Sequence, residues 1–350
     1  MARIFCWVAL VSLAACDARK SDKMDDKQME NEIEKINSLL RDTAFAASMA
    51  AGQEATYYAS QNQPAAAFFE GSDSLVKKSV KEEKIAINLA GAYAVECGVA
   101  ALIAQKGGTP AGWFEKIIDG SIDPSDMLLL NRFANATWKA GQPFRSLERI
   151  SRDNFISASL LSDDEIKKDA DQVRAAAKKW LDSISMVKND SLKIQLERIA
   201  VLLRSKAFSE DMAMQMEAAY YAGMGKPPPP FLTRKDDTAM LAKSARSEKI
   251  AINIAGFYAL ECGLNYLSTV QQKLPSQILH EIATDSLPAK DKELLERFAN
   301  ATWKAGQPFR SFDRITRPVF MPYDLLSEAE QEKDWIQIQS AARKLQDAMK

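Results

Sequence analysis

A fifteen-residue string, RFANATWKAGQPFRS, occurs twice in this chain without a change, at residues 132–146 and 297–311. The same offset of 165 residues aligns EKIAINLAGAYAVECG with EKIAINIAGFYALECG, and an offset of 163 aligns the segments further upstream. An internal repeat constrains the fold strongly, because each copy must form the same structure. The sequence therefore predicts a tandem duplication, with one domain at residues 28–187 and a second at residues 188–350. Each copy has the size of an ordinary domain and is expected to bury a core of its own.

Apolar residues recur at helical spacing along almost the whole chain, without the sustained alternation that is typical of strands. Ser79 and Ser244 are predicted N-caps of a long central helix in each copy. A later helix is predicted to end at Gly141 or Gly306, because a proline follows two residues on. This pattern predicts an all-α fold in which each copy is a helical bundle of about four long helices.

The N-terminus reads MARIFCWVALVSLAAC, in which one basic residue precedes an apolar stretch too short to span a bilayer. This pattern is typical of a signal peptide, here residues 1–15. Leu13-Ala14-Ala15-Cys16 resembles the bacterial lipobox, which implies cleavage before Cys16 and lipidation of its thiol. An ordinary signal peptide with an incidental cysteine is the alternative. Residues 16–27 then form the lipidated cysteine and a polar tether.

The residue that follows the lipidated cysteine bears on localisation. Asp17 resembles the signal that retains lipoproteins in the inner membrane of enteric bacteria. We therefore expect a lipid anchor at the periplasmic face of the inner membrane, with the outer membrane as the alternative, since that rule differs between bacteria.

Charge and hydropathy narrow the class of partner. The chain has 46 Lys and Arg against 47 Asp and Glu, and no basic block of the kind that binds nucleic acid. Residues 85–104 are apolar enough to resemble a membrane span but include Asn88 and Glu96. A carboxylate at mid-bilayer costs about 2.5–3.5 kcal/mol on insertion scales, so we interpret this stretch as a core helix.

Histidine and cysteine residues limit the available chemistry. The chain has one histidine, His280, whose counterpart in copy one is Glu115, so no histidine-dependent mechanism can operate in both copies. No multi-histidine metal site can be assembled either, and no cofactor is indicated. Cys97 and Cys262 occupy equivalent positions. They are interpreted as buried free thiols, or as a disulfide between copies if the central helices touch within about 7 Å between Cα atoms.

Glu96 and Glu261 are the carboxylates that most need an explanation, because each lies in a strongly apolar helix. A buried carboxylate must be paired or have its pKa raised. We predict structural ion pairs, with Arg132 (or Arg145) as a partner in copy one and Arg297 (or Arg310) in copy two. The alternative is a general acid in a lysozyme-like enzyme.

The repeated string has two interpretations. It is a packing motif that both copies need, or a binding element, since Trp and Arg dominate interface hot spots. In the second case the turn after the helix presents its side chains outward. The loop near residues 226–230 differs between copies and is a further candidate. The predicted partner-binding residues are Trp138, Gln142, Arg145, Trp303, Gln307, Arg310, Lys226 and Pro228.

The lipobox at residues 13–16 and the duplicated helical architecture, taken together, resemble the lipoprotein immunity proteins encoded beside antibacterial type IV or type VI secretion effectors. Inhibitors of type IV effectors from the xanthomonad group are similar in this respect. The resemblance implies a non-enzymatic protein that binds a secreted effector and blocks it sterically, with no metal. One alternative function is an envelope enzyme or glycan-binding protein that acts on peptidoglycan through Glu96 or Glu261. A third, structural option is an assembly or scaffold lipoprotein.

Overall fold

A computed structural model describes residues 26–64, 74–184, 191–230 and 238–350. The predicted signal peptide, Cys16 and residues 17–25 of the tether lie outside the described residues. Within the described ranges the chain forms twelve α-helices and one two-stranded sheet, which confirms the all-α class.

The same order of elements occurs in the first half of the chain (residues 26–184) and in the second half (residues 191–349). The first half contains α1 (Asp26–Arg41), α2 (Thr43–Ser60), β1 (Leu75–Ser79), α3 (Val80–Lys106), α4 (Pro110–Asp119), α5 (Pro124–Arg145) and α6 (Asp163–Ile184). The second half contains α7 (Leu192–Leu203), α8 (Lys206–Gly223), β2 (Met240–Ser244), α9 (Ala245–Gln271), α10 (Pro275–Ala283), α11 (Ala289–Arg310) and α12 (Glu328–Met349).

Each half thus has six helices rather than about four. The alanine-rich helices α2 and α8 were missed because their apolar residues form no narrow stripe along one face. Ser79 and Ser244 cap α3 and α9 as predicted, since each side chain accepts a backbone N–H three residues on. The short strands β1 and β2 were not predicted, because five residues are too few to establish an alternating pattern.

The helix that carries the repeated string continues four residues beyond its predicted end. α5 and α11 run through Gly141 and Gly306 to Arg145 and Arg310, each with a proline inside. The glycines permit close packing and do not end the helices: a Cβ on Gly141 would lie 2.9 Å from Cε2 of Phe309 in the opposite half. Glycine is favoured both where helices pack closely and where a helix ends, so the sequence pattern alone predicted the wrong helix end.

Equivalent residues of the two halves contact each other, which defines an approximate twofold axis. Strands β1 and β2 pair antiparallel about the middle residue of each. Two pairs of aromatic rings stack across the axis, with ring centroids 3.9 Å and 5.4 Å apart. Self-pairing of one surface is the mark of an isologous interface. These pairs are Lys77 with Ala242, Phe133 with Phe298, and Phe144 with Phe309.

The N-terminal helices of each half pack on the other half. Helix α2 lies mainly against α9 and α12, and α8 lies mainly against α3 and α6. At the centre α5 and α11 contact each other as well as both α3 and α9. One buried apolar cluster therefore runs through both halves. The expectation that each copy buries its own core is wrong, because a helical stripe can be covered equally well by a helix of either half.

Helices α3 and α9 are long and apolar enough to cross a membrane by length and composition alone. In the bundle, 78% and 83% of their most apolar windows are buried against other helices. This burial is what a central core helix shows, and it places Glu96 and Glu261 inside the protein.

Candidate functional site: an arginine-lined cleft

A cleft of about 540 Å³ opens on the second half of the molecule. Its walls come from α9, α11, α12 and the segment after α11, and α2 of the first half closes one side. Five cationic side chains and three carboxyl groups line it. The cations are Lys249, Arg310, Arg314, Arg317 and Lys333, and the carboxyl groups are Glu54, Glu330 and Asp334.

The two lysines of the cleft already have carboxylate partners. Glu54, which is buried, forms an ion pair with Lys249 and accepts a hydrogen bond of 2.7 Å from Nδ2 of Asn253. Lys333 lies 2.6 Å from Glu330 on the same helix. These two glutamates therefore balance the charges of the two lysines, and among the described residues the cleft cations without an ion pair are Arg314 and Arg317.

The three arginines follow one another at spacings of four and three residues. Arg310 is the last residue of α11, Arg314 lies in the following 3-10 helix (Phe312–Thr316), and Arg317 is exposed just beyond it. The pKa of Arg314 is lowered to about 10, first by burial and then by the charges of Arg310 and Arg317. The part of this shift that comes from Arg310 and Arg317 reflects repulsion between like charges, which a bound anion would relieve.

The repeated string holds Arg314 in place. Nε of Arg314 donates a hydrogen bond of 2.6 Å to Oε1 of Gln307, and Nε2 of Gln307 donates to the carbonyl of Trp303. Within the described part of the chain, no carboxylate forms an ion pair with Arg314 or Arg317. The cleft therefore presents the guanidinium groups of Arg314 and Arg317, neither of which is ion-paired with a described carboxylate, and this arrangement is suited to bind carboxylate or phosphate.

The floor of the cleft carries a carboxyl group with an unusual pKa. Burial raises the pKa of Asp334 to about 8, and the carboxylates of Glu296 and Glu330 add to this, against a hydrogen bond from Asn300 and the charge of Lys304. At pH 7 this group is mostly protonated and does not cancel the charge of the arginines.

Replacement of Asp334 by asparagine is expected to change how stability depends on pH. An unfolded aspartate loses its proton near pH 3.8, while folded Asp334 keeps it up to about pH 8. The stability that this group contributes is therefore complete below about pH 4 and is lost as the pH rises to about 8. Asp334→Asn cannot ionise, so its free energy of unfolding should exceed that of the native protein by about 1–3 kcal/mol at pH 9 and match it at pH 4.

Urea unfolding at the two pH values measures this difference. Asp153→Asn is the control, because Asp153 is a fully exposed carboxylate that pairs with Arg41, and it should shift stability by less than about 0.5 kcal/mol. Parallel curves for the native protein and Asp334→Asn across this range would contradict the assignment.

The first half presents the same set of residues at the equivalent positions. Of the 23 residues that line the cleft, 22 are identical at the matching offset, and the exception is Val319, which corresponds to Asn154. By contrast, α4 and the residues aligned with it share two of ten residues. The difference indicates that the cleft surface is retained beyond what the fold requires.

The geometry of that second surface matches as well. Nε of Arg149 donates 2.7 Å to Oε1 of Gln142, and burial together with Arg145 and Arg152 lowers the pKa of Arg149 to about 10. Asp169, the counterpart of Asp334, has its pKa raised to about 7, first by burial. Both halves thus share the glutamine–arginine contact, the lowered pKa of the middle arginine and a carboxyl group with a raised pKa.

Two buried ion pairs join the halves. Nζ of Lys304 lies 2.6 Å from Oε2 of Glu96, and Nζ of Lys139 lies 2.5 Å from Oε2 of Glu261. All four side chains are almost completely inaccessible. The predicted partners Arg132 and Arg297 are wrong, because α3 faces α11 and α9 faces α5 across the axis, and these helices present a lysine at that level.

The two arginines have other surroundings. Arg297 pairs with Glu293 and Asp324 at 2.6 Å and 2.5 Å. Arg132 is buried, its pKa is lowered by burial, and its Nε and Nη1 have no hydrogen-bond partner within the described residues. Burial alone would raise the pKa of Glu261, but Lys139 and further hydrogen bonds bring it below its ordinary value.

Both cysteines are buried free thiols that adjoin the ion pairs. Sγ of each donates a hydrogen bond of 3.1 Å to the neighbouring carboxylate, Cys97 to Glu96 and Cys262 to Glu261. Burial raises the pKa of both thiols well above the usual range. The disulfide is absent between them, and protonated thiols are poor nucleophiles.

The predicted partner-binding residues divide into three groups. Trp303, Gln307 and Arg310 line the cleft, and Trp138, Gln142 and Arg145 occupy the equivalent positions in the first half. Gln142 and Gln307 are buried inside helices, so the prediction that they point outward from a turn is wrong. Lys226 and Pro228 are exposed beyond α8 and do not line the cleft.

Sequence reasoning missed several cleft residues, chiefly Arg314, Arg317 and Asp334. A signal was present: the spacing Arg-x₃-Arg-x₂-Arg follows the repeated string in both halves, although only its first arginine lies within that string.

No protein-family model, curated protein or solved structure matches this chain. Function is therefore inferred from the geometry of the clefts.

Proposed function

We propose that this protein is a lipid-anchored periplasmic inhibitor that binds a secreted antibacterial effector and blocks it sterically. The observation that carries the proposal is the cleft with Arg310, Arg314 and Arg317, in which the last two have no carboxylate partner among the described residues. Such a surface attracts an acidic segment of another protein and gives it a defined orientation.

The architecture supports binding without turnover. Exchange of α2 and α8 between the halves, together with the stacked rings on the axis, ties the walls of each cleft to one common core. A rigid surface loses little conformational entropy when it binds, which favours tight inhibition. The lipobox sequence would hold this surface at the membrane through which effectors act.

The alternative function, an enzyme that acts on peptidoglycan, is less well supported, because both of its candidate catalytic carboxylates are buried. Glu96 and Glu261 are 4% and 1% exposed, and each carboxylate is bound to a lysine. A general acid must come within about 3 Å of the atom that it protonates. A glycan cannot reach either carboxylate in this fold.

We expect the wild-type chain to protect a bacterial host from the toxic secreted protein encoded beside its gene and to bind that protein directly. The double variant Arg314→Ala/Arg317→Ala should bind about 1000-fold more weakly and lose protection, because desolvated arginines commonly contribute about 2 kcal/mol each to an interface. Affinity is measured by biolayer interferometry and protection by growth of the host.

Lys193→Ala/Lys350→Ala removes the same charge at exposed sites outside the cleft and should behave as wild type. Failure of the wild-type chain to bind or protect would overturn the proposed function. Full affinity in the double arginine variant would show that the cleft is not the contact surface.

A further inference from the structure

We propose that each chain has two equivalent binding clefts, each of which takes one carboxylate-bearing acidic segment of a protein partner. The clefts are the one lined by Arg310, Arg314 and Arg317, and its counterpart with Arg145, Arg149 and Arg152. This inference rests on the proposed function for the identity of the partner, and adds the chemistry and the number of the sites.

The two halves differ from each other to an unequal extent along the chain. The cleft lining differs at one position of 23, while α4 and its counterpart differ at eight positions of ten. Packing alone does not explain this difference, since α4 also contributes buried residues such as Phe114 and Ile117. Partly exposed and exposed charges are the residues that a fold least requires, yet all eight charged groups of the cleft recur.

The exchanged helices make the same contacts at both sets of arginines. In each, a glutamate from the exchanged helix binds a lysine and an asparagine of the central helix. Glu217 of α8 lies 2.6 Å from Lys84 and accepts 2.7 Å from Asn88, as Glu54 does with Lys249 and Asn253. A surface assembled from both halves, twice and with the same contacts, forms two sites of one kind.

The lysines of the first half are paired with carboxylates, as they are in the second half. In the first half Lys84 pairs with Glu217 and Lys168 pairs with Glu165, so the arginines again supply the excess charge. Glu83 faces Arg145 and Arg149 from α3 but is itself paired with Lys243. Each cleft thus has room for an added negative charge.

A carboxylate fits this setting better than a phosphate. The cleft combines the guanidinium groups with apolar contacts from Ile252, Trp303 and Leu326, which suit the carbon stem of an acidic side chain and its neighbours. A doubly charged phosphate would also be repelled by the glutamates on the cleft walls. A protonated Asp334 can donate a hydrogen bond to an incoming carboxylate, which pairs of ionised carboxylates cannot do.

The axis sets the arrangement of the two sites. Because equivalent residues meet at the axis, the clefts are related by the same approximate twofold. Two identical acidic segments, from two partner molecules or from a twofold dimer, can therefore occupy them in equivalent orientations.

Isothermal titration calorimetry of the full chain with a capped tetraglutamate peptide tests the proposal. We expect two sites per chain. Arg314→Ala/Arg317→Ala and Arg149→Ala/Arg152→Ala should each leave one site, and the quadruple variant should bind at least about 100-fold more weakly. Lys193→Ala/Lys350→Ala should keep both sites, and circular dichroism shows that each variant is folded.

Lysine at the same four positions keeps the charge but loses the bidentate geometry, so it should weaken binding less than alanine does. One site in the wild-type chain, or two sites in either double alanine variant, would overturn the proposal. So would binding of inorganic phosphate or phosphatidylglycerol vesicles in preference to the peptide. If the peptide binds twice but the effector does not bind, the proposed function fails alone; if the effector binds and the peptide does not, this inference fails alone.

Discussion

Replacement of Lys304 by methionine is expected to lower the free energy of unfolding by about 3–5 kcal/mol. Nζ of Lys304 lies 2.6 Å from Glu96, and both side chains are buried. Removal of the ammonium group leaves a buried carboxylate without its counter-charge, which is the costly way to break an ion pair. The measurement is chemical denaturation at pH 7, with the midpoint and slope fitted together.

A double variant separates the pair from its parts. Lys304→Met/Glu96→Gln has no buried charge at this site and should recover a large part of the loss, because a neutral pair avoids the desolvation penalty. Lys168→Met, at an exposed pair with Glu165, is the matched control and should change stability by less than about 1 kcal/mol. A loss of that small size in Lys304→Met would contradict the buried pair.

The symmetry of the fold adds an internal check. Lys139 and Glu261 form the equivalent pair at 2.5 Å, so Lys139→Met should cost a comparable amount. Glu261 accepts additional hydrogen bonds from Ser157 Oγ and the backbone N–H of Ala158, at 2.8 Å and 3.1 Å. These donors would still stabilise the carboxylate after the lysine is removed, and we therefore expect the loss in Lys139→Met to be the smaller of the two.

Replacement of Phe298 by alanine is expected to cost about 3–5 kcal/mol and to destabilise both halves together. The ring of Phe298 stacks on that of Phe133 across the twofold axis, with centroids 3.9 Å apart and planes inclined by 4°. Both rings are fully buried, so the variant loses apolar burial and leaves a cavity between α5 and α11.

Differential scanning calorimetry distinguishes one shared core from two domains. With a shared core, Phe298→Ala should lower the temperature of one cooperative transition. Two resolved transitions, of which one keeps its native temperature, would mean that the halves unfold separately and would contradict the fold described above.

Local structure was largely predictable from the sequence. Ser79 and Ser244 begin their helices where the capping pattern places them, and the apolar stretch from residue 85 is a buried core helix. These features depend on residues within a few positions of one another, which is the range over which helical periodicity carries information. The helix end at Gly141 was mispredicted because this glycine is required by a long-range contact: it packs against Phe309, which lies far along the chain.

The candidate site was partly predictable. Trp303, Gln307 and Arg310 were named from the repeated string, and the structure brings them together with Arg314 and Asp334 in one cleft. Sequence interpretation placed the function where the copies differ, whereas the structure directs our proposal to a surface on which they agree. To predict this surface, one must know which of the repeated residues line a cleft. The sequence alone does not distinguish those residues from the repeated residues that pack in the core.

The sequence by itself determined the helical class, the repeated order of the elements and the residues that are identical in the two halves. Only the tertiary structure decided which half supplies the partner of each buried group: Lys304 for Glu96, α2 for the cleft on α9, and Phe309 for Gly141. The physical reason is that periodicity records whether a side chain is buried, while the identity of the neighbour depends on contacts between residues more than a hundred positions apart. The same apolar pattern can be buried either within two separate domains or within one core that both halves share. Packing across the twofold axis decides between these two arrangements.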